Sequence, residues 1–429
     1  MIRNIVTVMR GTVIAQAVAV LILPVLTRLF DPAAFGHLQL YLSVLTMLIV
    51  LPSLRYDIAI LRADDNELPS LLRLCLRANI IVAALLLLVA YAGAALFHDS
   101  FLGQAPFPLW MPIAAMAATS IGQVLLYVAI RDERFSVNAN SKVAQAVSYA
   151  AMGVALGVAR IGNGGLVMAD LLGRFASLAW LYRWMRKRAL MSRVGRVSIR
   201  AVASRYREYP LVSLPGFIIN SAGVTITPIM IYATFDANAA GQYALVDRVL
   251  SLPVAVLATS VSQAFMGQLA TAMRNGTEAR SDFISILRWM ALIGIVPTIL
   301  VILLAPTAFV LLFGSEWELA GTLAQVLAPA TFVGLITGGV NMTLSVVGRQ
   351  KTQMAWDVTR LTALIALWTV VPILDLSVVV SVALHSALLV IANIVFLILC
   401  AHALKHPLKH LPNASAIAID PLLAESDKT

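Results

Sequence analysis

The residues of this chain best suited to chemistry are charges set in apolar sequence. Arg10, Arg55, Asp57, Asp170, Arg174, Asp247 and Arg248 lie inside runs of Leu, Val, Ile and Ala, and Arg288 and Arg360 lie close to the ends of such runs. A charge near the centre of a bilayer costs about 3 kcal/mol on insertion scales, so one that persists there faces a cavity, a partner or a ligand. Guanidinium groups gathered in a water-filled cavity would hold phosphate oxygens through paired N–H donors. Asp57, Asp170 and Asp247 are the carboxylates available to bind a coupling proton or sodium ion. Asn220 and Asn341 add neutral hydrogen-bonding groups for a polar ligand. Each has a plainer alternative. Arg10, Arg288 and Arg360 can snorkel to headgroups. Asp170 and Arg174, four apart, share a helix face and can neutralise one another. Asp247 and Arg248 point about 100° apart and need partners elsewhere. Polar uncharged residues in membrane bundles commonly serve helix packing.

Most of the chain must be solvated by lipid. Of its 429 residues 60% are hydrophobic and 12% charged, against about a quarter charged in a soluble domain. Apolar stretches near 8–29, 37–61, 76–97, 109–130, 143–160, 166–185, 211–233, 243–267, 283–305, 322–347, 356–374 and 378–402 each approach the roughly 20 residues that cross a bilayer. The expected fold is all-α, about twelve transmembrane helices in two six-helix bundles related by a pseudo-twofold along the membrane normal. The bundles are expected over 1–185 and 210–402, with a basic cytoplasmic linker at 186–209 and a cytoplasmic tail at 403–429.

Orientation follows from lysine and arginine. With both termini inside, inner segments hold Arg62, Arg73, Arg77, Arg131, Arg134, Lys142, Arg349 and Lys351, whereas outer loops hold Arg28 and Arg160. The net charge of +10 then sits beside anionic headgroups and calls for no nucleic acid. The basic run from Arg183 to Pro210 reads as a linker on the anionic leaflet, or as an interfacial helix that gathers anionic lipid there. Cys75 and Cys400 offer neither a disulfide framework nor a metal site, His385 alone makes none, and the expectation is no cofactor.

The halves look duplicated. "LFDPAAFGHLQL" and "TFDANAAGQYAL" align Phe30 with Phe235, Asp31 with Asp236, Ala34 with Ala239, Gly36 with Gly241 and Leu40 with Leu245, and more weakly Pro112 pairs with Pro329. Six spans is an even number, so the repeats enter the membrane in the same direction, and two like bundles enclose a cavity at their interface.

"LPVLTRLFDPAAFGHLQLYLSVL", "SLRYDIAILRADD" and "LLFGSEWELAGTLAQVLAP" resemble segments of the O-antigen and polysaccharide flippases of the multidrug/oligosaccharidyl-lipid/polysaccharide exporter superfamily. The resemblance implies a V-shaped pair of bundles around a cationic cavity that accepts undecaprenyl-pyrophosphate-linked sugars. Its matching positions are Arg55, Tyr56 and Asp57, and Glu316 with Trp317; the last reads as a headgroup-level anchor. The expected function is a bacterial inner-membrane flippase, not an enzyme, carrying an O-antigen, exopolysaccharide or capsule repeat unit by alternating access. Its partners would be the lipid-linked oligosaccharide, membrane lipids, and a glycan polymerase with other assembly proteins. The rivals are a cation-coupled multidrug exporter of the same fold, a membrane glycan polymerase or ligase, and a non-transporting scaffold. Short outer loops without a base and nucleophile pair argue against the enzyme.

Overall fold

The computed structural model describes residues 2–96, 105–186, 197–275 and 279–405, with 2–10, 212–213, 215–216 and 274–275 described by backbone alone. Its helices in chain order are α1 (Ile2–Leu21), α2 (Leu23–Leu29), α3 (Pro32–Leu48), α4 (Tyr56–Ala59), α5 (Leu68–Leu96), α6 (Trp110–Arg131), α7 (Phe135–Val158), α8 (Gly165–Arg186), α9 (Ile199–Arg205), α10 (Leu214–Thr234), α11 (Ala237–Asn275), α12 (Arg280–Phe313), α13 (Glu318–Gly338), α14 (Thr343–Val346), α15 (Gln350–Ile373) and α16 (Val378–Lys405). The fold is all-α, with no strand among the described residues. Ten helical segments there are long and apolar enough to cross a membrane. The two further spans expected from sequence are α3, only 17 residues long, and α7, which carries Asn138, Asn140, Lys142 and Gln145 in its first half.

Helices α3 and α11 begin alike. The Asp31 carboxylate accepts from the Ala34 backbone N–H at 2.8 Å, and the Asp236 carboxylate from that of Ala239 at 2.7 Å. Each aspartate satisfies a donor that the first helical turn cannot pair. The two helices then pack at Gly36 and Gly241, where a Cβ on the first would strike the Ala237 carbonyl and one on the second the Pro32 carbonyl. Only glycine allows backbones so close. The weaker pairing does not hold in register: Pro112 lies in the first turn of α6, whereas Pro329 lies in the middle of α13.

Burial defines the architecture. One large core unites both halves at the end marked by Asp31 and Asp236, with Phe35, Leu38 and Tyr41 from the first half and Tyr243, Trp317 and Leu323 from the second. At the opposite end, marked by α9, two separate cores form. One, around Ile60, Leu71, Val128 and Val202, belongs to α4, α5, α6, α8 and α9. The other, around Phe265, Phe283, Leu344 and Phe396, belongs to the second half. The bundles are thus fused at one end and separately packed at the other.

Trp317 is a seal rather than a headgroup anchor. It is 1% exposed, its indole N–H donates to the Thr27 carbonyl at 3.3 Å, and its ring meets Phe35 edge-on at 5.0 Å between centroids.

Part of the linker docks on the first half. Ser198 caps α9, Val202 is buried, Ser70 donates to the Val197 carbonyl at 2.6 Å and Tyr56 to the Ala203 carbonyl at 3.2 Å. Arg205 pairs with the buried Glu67 at 2.6 Å, and the Tyr206 hydroxyl donates to the same carboxylate at 2.9 Å. The Glu67 hydrogen bond and charge raise the Arg205 guanidinium above its usual value. Burial, then the bond to Glu67, pushes the Tyr206 phenol up to about 12. Residues 187–196 and 406–429 of the expected linker and tail lie outside the described residues.

Candidate functional site

A cavity of about 410 Å³ opens between the halves. α1 contributes Thr12 and Gln16, α7 contributes Lys142, Gln145 and Tyr149, α8 contributes Asp170, and α11 contributes Arg248. Residues 142, 145, 146 and 149 of α7 are spaced three and four apart, so one helix face supplies them all. Arg248 donates to the Tyr149 hydroxyl at 3.4 Å across the halves, and Lys142 donates to Thr12 at 3.3 Å. Two cations therefore face the space with one carboxylate. That carboxylate is already engaged: Arg174 Nε lies 2.6 Å from Asp170, a second guanidinium nitrogen donates at 3.3 Å, and a third contact reaches the Thr119 hydroxyl at 3.1 Å. Arg174 is thus held as a counter-ion, the simpler of its two expected roles.

Arg55 departs from the expected geometry. The run 37–61 is not one helix; α3 stops at Leu48 and the chain turns through Pro52 before α4. Leu54 and Arg55 both have left-handed backbones, at φ 47° and 63°, a conformation unfavourable for side chains with a Cβ and concentrated at functional sites. The guanidinium of Arg55 stacks 3.6 Å from the ring centroid of Phe217 at the start of α10. First and second halves therefore touch at the α9 end through a cation and an aromatic face. Asp57, buried beside it, accepts from the Ser53 hydroxyl at 2.8 Å.

The family model described as polysaccharide biosynthesis protein matches residues 25–321. This chain belongs to that family. Its fold is shared with solved transporters. It aligns with an inward-facing MATE family multidrug resistance transporter of the MOP superfamily at TM-score 0.59 and 13% identity, covering 92% of this chain and 95% of that one. The MATE multidrug transporter DinF-BH gives TM-score 0.60 at 15% identity, covering 93% and 95%. The Vibrio cholerae MATE transporter VcmN, in a mutant form, gives 0.56 at 14%, covering 94% and 96%. No curated protein matches the chain by sequence.

In this polysaccharide biosynthesis protein the other expected site residues disperse. Asp247 is exposed on α11, apart from the cavity lining. Arg360 sits on α15 beside Asp357 at 3.7 Å and over Trp356 at 4.6 Å, near Gly223 of α10. Asn341, in the turn between α13 and α14, accepts from the Ser262 hydroxyl of α11 at 2.7 Å, a packing contact. Asn220 and Arg288 are exposed. The Arg10 side chain lies outside the described residues. Among the described residues no cluster could hold a metal ion. Sequence reasoning missed Lys142 and Tyr149 as cavity residues, although their spacing with Gln145 puts all three on one face of α7. It also missed Phe217, which no local pattern marks.

Proposed function

We propose that this protein is a flippase for a polyprenyl-pyrophosphate-linked oligosaccharide, an O-antigen, exopolysaccharide or capsule repeat unit, in a bacterial inner membrane. The observation that carries the reading is the cavity between the halves, where Arg248 and Lys142 face Asp170, itself bound by Arg174. Such a site suits an anionic headgroup with polar sugars, because guanidinium donors match phosphate oxygens and hydroxyls find Gln16, Gln145 and Tyr149. The polyprenyl tail needs no cavity, since it can stay in lipid. Family membership supports the glycan, and the transporter fold supports translocation.

In this reading the α9 end faces the cytoplasm, as the arginine distribution favours. The fused Asp31/Asp236 end then closes the outer side while the separately packed α9 end faces the donor side. Arg55, on the Phe217 face at that end, captures the pyrophosphate, and the Arg248 cavity receives it. Asp170 is the carboxylate placed to couple the cycle to a proton or sodium gradient, because releasing Arg174 from it adds a cation to the cavity. Asp57 and Asp247 are further coupling candidates.

The rival reading, a multidrug exporter, wants a carboxylate free for a cationic drug, and Asp170 is not free. Deleting the gene in its host separates the two. Loss of surface glycan with lipid-linked repeat units accumulating inside supports the flippase. Unchanged glycan with heightened sensitivity to cationic drugs supports the exporter.

A further inference from the structure

We propose that a groove at the α9 end, between α7 and α8, binds the headgroup of an anionic glycerophospholipid. Its volume is about 660 Å³, and it is lined by Val137 and Asn140 from α7 and by Trp180, Arg183, Trp184 and Arg186 from α8. At 100° per residue, Val137 and Asn140 project from the side of α7 opposite Lys142, Gln145 and Tyr149. The groove therefore faces away from the transport cavity, its inner wall of Val137 and Trp184 resting on the first-half core and Trp180 exposed at its edge. It is independent of the flippase reading.

The lining matches one chemistry at one depth. Trp180 and Trp184 stand four apart on one helix face, and Trp180 is 45% exposed, an unfavourable surface in water but the preferred one at the junction of glycerol and acyl chain. Arg183 and Arg186 stand three apart at the helix end, both exposed and neither in an ion pair among the described residues. Their planar forks suit a phosphodiester. Asn140 is placed to bond headgroup hydroxyls. Arg131, Arg174 and Arg205, by contrast, are each paired with a carboxylate at 2.6 Å. The groove's positive charge is thus left for an external anion, and the leaflet at this end supplies one.

The test is native mass spectrometry of the full chain released from nanodiscs of phosphatidylethanolamine containing phosphatidylglycerol. The wild type should retain phosphatidylglycerol above its share of the bilayer. Arg183→Gln with Arg186→Gln should weaken that retention about thirtyfold, from roughly one favourable contact energy per arginine at the surface. Arg183→Lys with Arg186→Lys, which keeps charge and topology, should lose a smaller part, and Trp180→Leu with Trp184→Leu should lose it as well. Arg134→Gln with Arg200→Gln, removing two exposed cations elsewhere at this end, should leave it unchanged. Equal retention of both lipids by the wild type, or equal loss in the Arg134 and Arg200 control, would overturn the proposal.

Discussion

Gly36 and Gly241 bring α3 and α11 so close that each excludes a Cβ on the other side of the interface, the first against Ala237 and the second against Pro32. Because these two residues occupy equivalent places in the repeats, the contact lies where a twofold axis between the halves would pass. Trp317 continues the seal to Thr27 and Phe35. In the proposed transport cycle, opening this end requires breaking the contact.

Gly241→Val should therefore shift the protein toward a state open at that end. Overpacking commonly costs about 1–3 kcal/mol, enough to move a two-state equilibrium about tenfold or more. Thr27→Cys provides the readout, since Thr27 is buried in the seal and both native cysteines are buried elsewhere. Alkylation of Cys at this position should accelerate in the Gly241→Val background. An unchanged rate in a protein that accumulates normally would show that the glycine contact does not control opening.

The pair Asp170 and Arg174 is only 13% and 14% exposed. Removing one member leaves an uncompensated charge, at a cost of about 3–5 kcal/mol, whereas removing both is far milder. Arg174→Leu should lower the thermal midpoint in detergent markedly, and Asp170→Asn in the same chain should restore much of the loss. A double variant that melts lower than either single variant contradicts the pairing.

Tyr206 titrates at the joint between linker and first half. Its ordinary phenol value of 10.0 is raised to about 12 in the fold. A raised value means the folded state keeps the proton after the unfolded state has lost it, so this contribution is intact below pH 10 and lost as pH rises through 12. Ultraviolet difference titration of the wild type against Tyr206→Phe should find this phenol ionising late. Glu67→Gln should bring its ionisation earlier, and titration at the ordinary value in the wild type would show that Glu67 does not hold the phenol proton.

What the sequence reveals and what it hides divide along range. The apolar runs and the two aspartates at repeat positions are legible because span length and helix capping are local physics, and Asp31 and Asp236 cap as their context requires. The break at Arg55 is less legible. Pro52 marks it, yet the apolar run through it is long enough to read as one helix. Trp317 reads as an interfacial anchor because its partner at Thr27 is remote in the chain, and nothing near it betrays burial. Lys142 reads in the sequence as a topology signal, and only the fold shows that it and Arg248 face the same space.

In the proposed cycle an anionic, lipid-linked headgroup crosses by way of Arg55. The most direct measurement is translocation of a labelled polyprenyl-pyrophosphate oligosaccharide in vesicles reconstituted with the purified protein, read by accessibility to an added glycosidase. Arg55→Ala should lower the rate about ten- to hundredfold through loss of charge-assisted hydrogen bonds. Arg55→Lys should keep part of it by retaining charge without the fork. Phe217→Leu, which removes the face on which the guanidinium lies, should fall between them, with Phe217→Trp near wild type. Wild-type vesicles that translocate the substrate at the same rate as Arg55→Ala vesicles would show that Arg55 does not carry the headgroup.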